Sequence, residues 1–199
     1  MAPLRWPEDA RRLDFDLLRE SPVTLYRSRE VLAGHVAWLR REGYAVHEFD
    51  CSGWSSEADF HDAASRTLGF PDYYGRNLDA FNDCLCGIEV PEEGGTALAF
   101  LAFDVLHRLS PERAWHVLDI VARWSRFFLL TGRRLMALVQ SDDPGVRVKP
   151  VGARPVLLNS EERGREVRSR LKAARSGRNA AGEGRTNPED RVSAEDGDE

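Results

Sequence analysis

The chain has 199 residues, of which 42% are hydrophobic and 31% charged, and its formal net charge at pH 7 is -5. This composition is typical of a globular protein with one domain or two small ones, and the acidic balance argues against a general nucleic-acid binder. No apolar run reaches the roughly 20 residues of a membrane span, and the start shows no signal-peptide pattern, so we expect a cytoplasmic protein without membrane contact. Its three cysteines are too few for a disulfide framework, and Cys84-x-Cys86 lacks the second ligand pair of a zinc site.

The composition changes at about residue 161. Residues 161–199 contain no Phe, Trp or Tyr, so they bury too little apolar surface to offset the entropic cost of ordering the chain. Six bases stand against one acid over 165–178, and seven acids against two bases over 183–199. We predict a folded domain over 14–160 and a disordered charged tail over 161–199, with 162–175 as a frayed helix. The tail is either a solvated disordered segment or a basic anchor for an acidic surface or RNA.

Strand and helix patterns alternate along the folded part. Residues 23–27 are β-branched and aromatic, as in strands, and 29–42 repeat apolar side chains at helical spacing. The unbroken apolar run 96–103 indicates a strand buried on both faces of a sheet. Further strands are predicted at 44–49 and 135–140, short edge strands at 146–149 and 155–158, and helices at 55–68, 78–86 and 111–130. Strands that alternate with helices predict an α/β fold with a mainly parallel sheet covered by helices.

The most informative segment covers residues 70–86 and reads FPDYYGRNLDAFNDCLC. Pro71 and Gly75 indicate a loop, and Asn77 is placed to cap a helix over 78–86. At 100° per residue this helix has one apolar face that anchors it in the core: Leu78, Phe81 and Leu85. Its opposite face is polar: Asp79, Asn82, Asp83 and Cys86.

The polar face of this helix is strongly acidic. Asp79 and Asp83 are four residues apart and adjacent on the helix surface, where like charges repel by roughly 0.2–0.5 kcal/mol. An acid in the first turn is favourable beside the helix dipole, which explains Asp79 but not Asp83. Residues 71–93 carry six acids against one base, Arg76. Asp83 is therefore the residue that most needs a functional explanation.

The residue types alone leave three interpretations open. The acidic face could bind a basic protein, with the neighbouring tyrosines as interface residues. Asp79 and Asp83 could be the acid/base pair of an enzyme or ligands for a divalent metal. Alternatively, the tyrosines pack, Asp79 stabilises the helix start and the other acids are solvated surface. The enzyme is disfavoured, because the chain has no HExxH, GxSxG, P-loop or GxGxxG motif and its five histidines are scattered.

The stretch PDYYGRNLDAFNDCL, residues 71–85, resembles the signature of the barstar family, whose members are intracellular inhibitors of small, basic, secreted microbial ribonucleases. It follows the family pattern Pro-acid-Tyr-Tyr-Gly-x-Asn-Leu-Asp-Ala-x-x-Asp-Cys-Leu nearly throughout. The order of predicted elements extends the resemblance over residues 43–143. It implies a sheet of three core strands, to which 23–27 adds an N-terminal edge strand within an extension over 23–42.

The resemblance also implies a mechanism in which the helix and the loop before it block the active site of a ribonuclease. Asp83 would occupy the position of the RNA phosphate, Asp79 would make a second charged contact, and Tyr73 would cover the catalytic histidine. The partner-binding residues implied in this way are Tyr73, Gly75, Asn77, Asp79, Asn82, Asp83 and Gly87. Catalytic residues, metal and cofactor are not implied, and neither is direct binding of nucleic acid.

The chain departs from the family pattern at three places near this surface. Asn82 stands where the best-known member of the family has a large aromatic contact, and Ile88 replaces another aromatic side chain. Residues 124–131 lack the acids that the family offers near the end of that helix. We predict a monomeric, non-enzymatic, cytoplasmic inhibitor of a small basic, guanyl-specific, barnase-like ribonuclease or a related toxin. The alternative is a diverged barstar-like regulatory interaction module with a non-ribonuclease or toxin partner, in which the tail makes a second contact.

Overall fold

The structure, a computed structural model, describes residues 12–182, and their side chains as far as residue 173. It divides into two units, one ending at Glu162 and one beginning at Arg163. The five strands are β1 (Val23–Tyr26), β2 (Tyr44–Asp50), β3 (Gly95–Leu101), β4 (Leu135–Gln140) and β5 (Leu157–Leu158). The described residues also form seven helices: α1 (Leu13–Glu20), α2 (Arg29–Arg41), α3 (Glu57–Leu68), α4 (Leu78–Cys86), α5 (Phe103–Leu109), α6 (Pro111–Leu130) and α7 (Ser160–Gly182).

The strands form one sheet in the order β2-β3-β4-β1-β5, and every pairing in it is parallel. Every residue of β4 is buried, as are all but the last of β3, as expected for strands with helices on both faces. Leu98 and Phe100 point to one face, where they pack with α3, α4, α5 and α6. Ala97 and Ala99 point to the other face, where they pack with α1 and α2. The predicted α/β fold with a parallel sheet is thus confirmed.

The prediction that the N-terminal strand lies at the sheet edge is wrong. β1 pairs with β4 on one side and with β5 on the other, through Thr24 with Leu157 and Leu25 with Leu158. The chain after β4 returns past β1 and adds a two-residue strand there, so that β5 becomes the edge. The other predicted edge strand, 146–149, has no strand structure.

The predicted strand 96–103 is two residues too long at its end. Ala102 has a left-handed backbone with φ +49, which breaks the extended chain, and its N–H donates to Oε1 of Gln140 at 2.9 Å. Phe103 then begins α5, a helix whose start the apolar pattern conceals because Phe103 continues the same run. The sequence pattern also missed α1.

The folded unit extends past the predicted domain end at residue 160. The carboxylate of Glu162 is buried and accepts hydrogen bonds from the backbone N–H groups of Arg27 at 2.9 Å and Ser28 at 2.6 Å, at the start of α2. Residues 162–175, predicted as a frayed helix at the start of the tail, lie within α7, which is helical to Gly182. The remainder of the predicted tail, 183–199, lies outside the described residues.

Candidate functional site

Helix α4 begins and ends where the sequence predicts. Asn77 caps it, because its Oδ1 accepts the backbone N–H of Ala80 at 2.8 Å. The same amide donates from Nδ2 to the carbonyl of Gly75 at 3.2 Å and so also holds the preceding loop. Gly87 follows the last residue with φ -94, so the helix end needs no left-handed glycine there. Asn77 therefore fixes the start of α4, whereas the backbone at Gly87 does not require a glycine.

The apolar face of α4 anchors the helix in the core. Phe81 and Leu85 are at most 1% exposed, and the Phe81 ring lies 5.1 Å from that of Phe60 and 6.0 Å from that of Phe70. Burial of two such side chains stabilises the domain by about 1.5–3 kcal/mol each. Asp79 and Asp83, on the opposite side, are exposed. The helix thus presents its two carboxylates on a rigid base.

The two neighbouring tyrosines before α4 have opposite environments. Tyr73 is 86% exposed, whereas Tyr74 is buried against Phe70, with ring centroids 4.9 Å apart. The Tyr74 hydroxyl lies 2.5 Å from Nδ1 of His61 on α3. Burial lowers the pKa of His61, which favours its neutral form, and burial raises the pKa of Tyr74. Tyr74 therefore fixes the loop, and Tyr73 projects into solvent.

Arg76 holds the loop by its backbone and by its charge. It is a non-glycine residue with φ +50, an uncommon conformation that costs free energy and persists only where surrounding contacts impose it. Its guanidinium lies 2.6 Å from the carboxylate of Asp62 on α3. The sequence pattern marks Gly75 as a loop residue, and the residue of this loop with a left-handed backbone is the next one, Arg76. An arginine between a glycine and a capping asparagine carries no recognisable sequence signal for this role.

Asn82 has internal partners that the sequence did not reveal. Its Oδ1 accepts the indole N–H of Trp124 on α6 at 3.1 Å, and its Nδ2 donates to Asp83 at 3.2 Å. The amide thus ties α4 to α6 and orients the carboxylate next to it. A contact of Asn82 with a partner stays a prediction.

A groove of about 440 Å³ lies beside the first turns of α4. Asp79 and Asn82 line one part of it, and the bases Arg113, His116 and Arg123 of α6 line another. Arg113 has an acidic neighbour in Glu57 at 3.4 Å, and Arg123 has one in Asp119 at 3.3 Å. The surroundings of Asp79 therefore carry both signs of charge. Within residues 71–93, the exposed acids outside the groove are Asp72, Asp83, Glu89, Glu92 and Glu93.

Neither cysteine of α4 forms a disulfide, and the described residues include no group of three or more His, Cys, Asp or Glu placed to hold a metal ion. Burial raises the pKa of Cys84 and favours its protonated thiol. Cys86 is exposed, and its thiol donates to the carbonyl of Asp83 at 2.9 Å. In the same part of the chain, every helix is too short or too polar to cross a bilayer.

Comparison with known proteins assigns this arrangement to a family. Residues 44–140 match the family model described as "Barstar (barnase inhibitor)". These residues are a barstar domain. The domain extends from β2 to β4 and includes α4, the loop before it and α6. β1, α2 and β5 lie outside the matched range, although β1 and β5 complete the same sheet.

One relative of the barstar domain is the protein described as "Putative ribonuclease inhibitor YrdF" from Bacillus subtilis, which is 47% identical over 55 residues. The match covers 23% of this chain and 60% of that protein's length. Among solved structures, "Structure of Drosophila ORC bound to AT-rich DNA and Cdc6" aligns over 64% of this chain and 42% of that chain, at 17% identity and a TM-score of 0.41. A similarity at that level carries no argument about function.

Proposed function

We propose that this protein inhibits a small basic ribonuclease by placing α4 and the loop before it in the enzyme's active site. One observation carries the proposal: a barstar domain presents Asp79 and Asp83 to solvent on a helix whose other face is locked in the core. Because α4 is capped by Asn77 and packed through Phe81, little conformational entropy is lost when it binds.

The chemistry of the target explains why a carboxylate suits it. A ribonuclease active site is built to hold a phosphate, so its cationic side chains also bind a carboxylate through charge-assisted hydrogen bonds. In this proposal Asp83 occupies the phosphate position, Asp79 makes a second charged contact and Tyr73 covers the catalytic histidine. The exposed acids around α4 speed the encounter with a basic enzyme at low salt.

The proposal also implies where inhibition takes place and with what stoichiometry. A cell that makes such a ribonuclease needs the inhibitor in its own cytoplasm, and one exposed docking helix implies a complex of one inhibitor with one enzyme. The inhibitor acts by occupying the site and carries out no chemical step itself. The domain therefore needs no metal or cofactor for this function.

The test is calorimetric titration of the full chain into barnase, together with an assay of RNA cleavage. The full chain is used because Glu162, beyond the predicted domain end, is buried against the start of α2. Losing one partner of a charge pair that is buried in an interface costs about 2–5 kcal/mol, so Asp83→Ala should raise Kd by about 30-fold to 5,000-fold. The variant should fold normally, because Asp83 is exposed.

Glu92→Ala is the matched control. Glu92 is also an exposed acid near the site, so its loss changes the net charge equally without touching α4. We expect a small, salt-dependent fall in the association rate for this variant and little change in dissociation. Equal losses for the two variants would show that the acids act only through long-range attraction, and active-site blocking would be refuted.

The mixed charge around Asp79 supports a second candidate, a barstar-like regulatory interaction module with a non-ribonuclease or toxin partner. The groove bases Arg113 and Arg123 face the same space as Asp79, which suits a partner with both signs of charge. Capture of the native partner on the immobilised full chain separates the two functions. This candidate would be favoured if the parent chain captures a protein without ribonuclease activity, the Asp83→Ala variant still binds that protein and an Asp79→Ala variant does not.

A further inference from the structure

A cavity of about 650 Å³ lies between α5, the first turns of α6 and the chain that follows β4, and the proposed inhibition does not use it. Phe103, Trp115 and Val148 give it an apolar and aromatic lining, and Arg147 and Lys149 add two cations. We call it the Trp115 cavity. Sites for small molecules are typically clefts of roughly 300–1,000 Å³ that combine apolar walls with a few polar groups.

The wall that follows β4 is fixed in place although it has no strand structure. The indole N–H of Trp115 donates to the carbonyl of Pro150 at 3.0 Å, and the backbone N–H of Gly152 donates to Oδ1 of Asp119 at 2.9 Å. Val151, between these two bonds, is fully buried. The cavity is therefore formed before any ligand arrives. This wall lies beyond residue 140, where the match to the barstar family ends, so the cavity is a feature of the segment that follows the family core.

The two cations of the cavity are available to an anion. Neither Arg147 nor Lys149 has a carboxylate partner among residues 12–173, whose side chains the structure describes. Nη1 of Arg147 donates to the carbonyls of Pro144 at 2.6 Å and Val146 at 3.0 Å, which fixes the direction of the guanidinium. A guanidinium has five N–H groups, so Arg147 has donors beyond those two bonds.

The opposing charge in the cavity is small. Among the described residues that line it, Glu112 is the only acid, and it is 85% exposed. Its Oε1 lies 3.7 Å from Nε2 of His116, which also lines the cavity. His107 lines it as well, and each imidazole adds a ring N–H donor. Aromatic walls beside two cations suit a ligand with a planar ring and an anionic group.

We propose that the Trp115 cavity binds a nucleoside monophosphate, with the base against the Trp115 ring and the phosphate on Arg147 and Lys149. A base stacks on an aromatic side chain whatever its identity, because every base has a π-face. Arginine and lysine are the usual cationic ligands of phosphate. This binding function is separate from ribonuclease inhibition, since it uses neither carboxylate of α4.

The test is calorimetric titration of AMP and GMP into the full chain, with adenosine, ribose phosphate and inorganic phosphate as partial ligands. We expect one-to-one binding of both nucleotides with Kd below about 1 mM, and binding at least about tenfold weaker for each partial ligand. Arg147→Ala and Lys149→Ala should each raise Kd for AMP about tenfold, as should Trp115→Leu, which removes the stacking ring.

Arg154→Ala is the matched control, because Arg154 is an exposed arginine of the same segment that does not line the cavity. This variant should bind AMP like the parent chain, and so should Asp83→Ala, which makes the result independent of the ribonuclease titration. Melting temperatures within a degree or two of the parent chain would show that the variants fold.

Four outcomes would overturn the proposal. One is that neither nucleotide binds, and another is that inorganic phosphate or ribose phosphate binds as tightly as AMP, which would leave only an anion site. The third is an equal loss for Arg154→Ala and Arg147→Ala, which would mean attraction to the charge of the whole segment. The fourth is that an RNA tetranucleotide binds more than about tenfold tighter than AMP, which would make the cavity part of an RNA surface.

Discussion

Removing the side chain of Asn82 should weaken the attachment of α4 to α6. The Asn82→Ala variant loses the 3.1 Å bond to the indole N–H of Trp124 and the 3.2 Å bond to the exposed carboxylate of Asp83. A neutral hydrogen bond contributes about 0.5–1.5 kcal/mol net, and a buried donor left unpaired costs about 1–3 kcal/mol. Because Trp124 is only partly buried, we expect a loss of about 1 kcal/mol in the free energy of unfolding.

The assay is urea denaturation followed by circular dichroism, supported by thermal melts. A loss of about 1 kcal/mol should lower the melting temperature of a domain of this size by about 2–4 °C. A double-mutant cycle with Trp124→Phe isolates the bond from the other effects of each substitution, and we expect a coupling energy of about 1 kcal/mol. Arg126→Ala, an exposed position on the same helix, serves as the control and should change stability by less than about 0.5 kcal/mol.

A coupling energy below about 0.3 kcal/mol would refute the reasoning, since it would mean that the Asn82–Trp124 bond does not hold the two helices together. Ribonuclease binding gives a second criterion. Asn82 orients the carboxylate of Asp83 but does not replace it, so Asn82→Ala should weaken binding far less than Asp83→Ala. An equal loss for the two variants would show that binding depends on Asn82 as strongly as on the carboxylate itself.

Two further predictions concern the loop and the start of α4. Asn77→Ala removes the side chain that accepts the backbone N–H of Ala80, and it should lower the free energy of unfolding by about 1 kcal/mol in urea denaturation. Asn77→Asp retains an acceptor and should recover most of that loss. Equal stability of the two variants would contradict the capping role. Acidification should also destabilise the domain. Burial lowers the pKa of His61 in the folded state, so on acidification the unfolded chain takes up the proton first. The contribution of neutral His61 to stability is therefore present above about pH 6.5 and is lost as the pH falls below that value. His61→Gln should reduce the slope of unfolding free energy against pH by at most about 1.4 kcal/mol per pH unit, and an unchanged slope would show that His61 is not responsible.

Local sequence carried enough information to place α4 and its two faces. The capping asparagine and the apolar spacing of Leu78, Phe81 and Leu85 act within a few turns of one helix, so their outcome depends little on the remaining chain. The parallel sheet could be predicted for a similar reason, because a strand buried on both faces has an uninterrupted apolar sequence. Exposure of Asp79 and Asp83 follows from the same helical periodicity.

Long-range contacts determined the features that the sequence pattern missed. The residue pattern does not distinguish Tyr73 from Tyr74. Only Tyr74 is buried, where its hydroxyl lies against His61 of another helix. Asn82 meets an indole 42 residues away, and Glu162 caps a backbone 135 residues away. The interior place of β1 likewise depends on a strand near the far end of the domain. Residue spacing reports only what neighbours along the chain can do, whereas these contacts exist because packing of the sheet and its helices brings distant segments together.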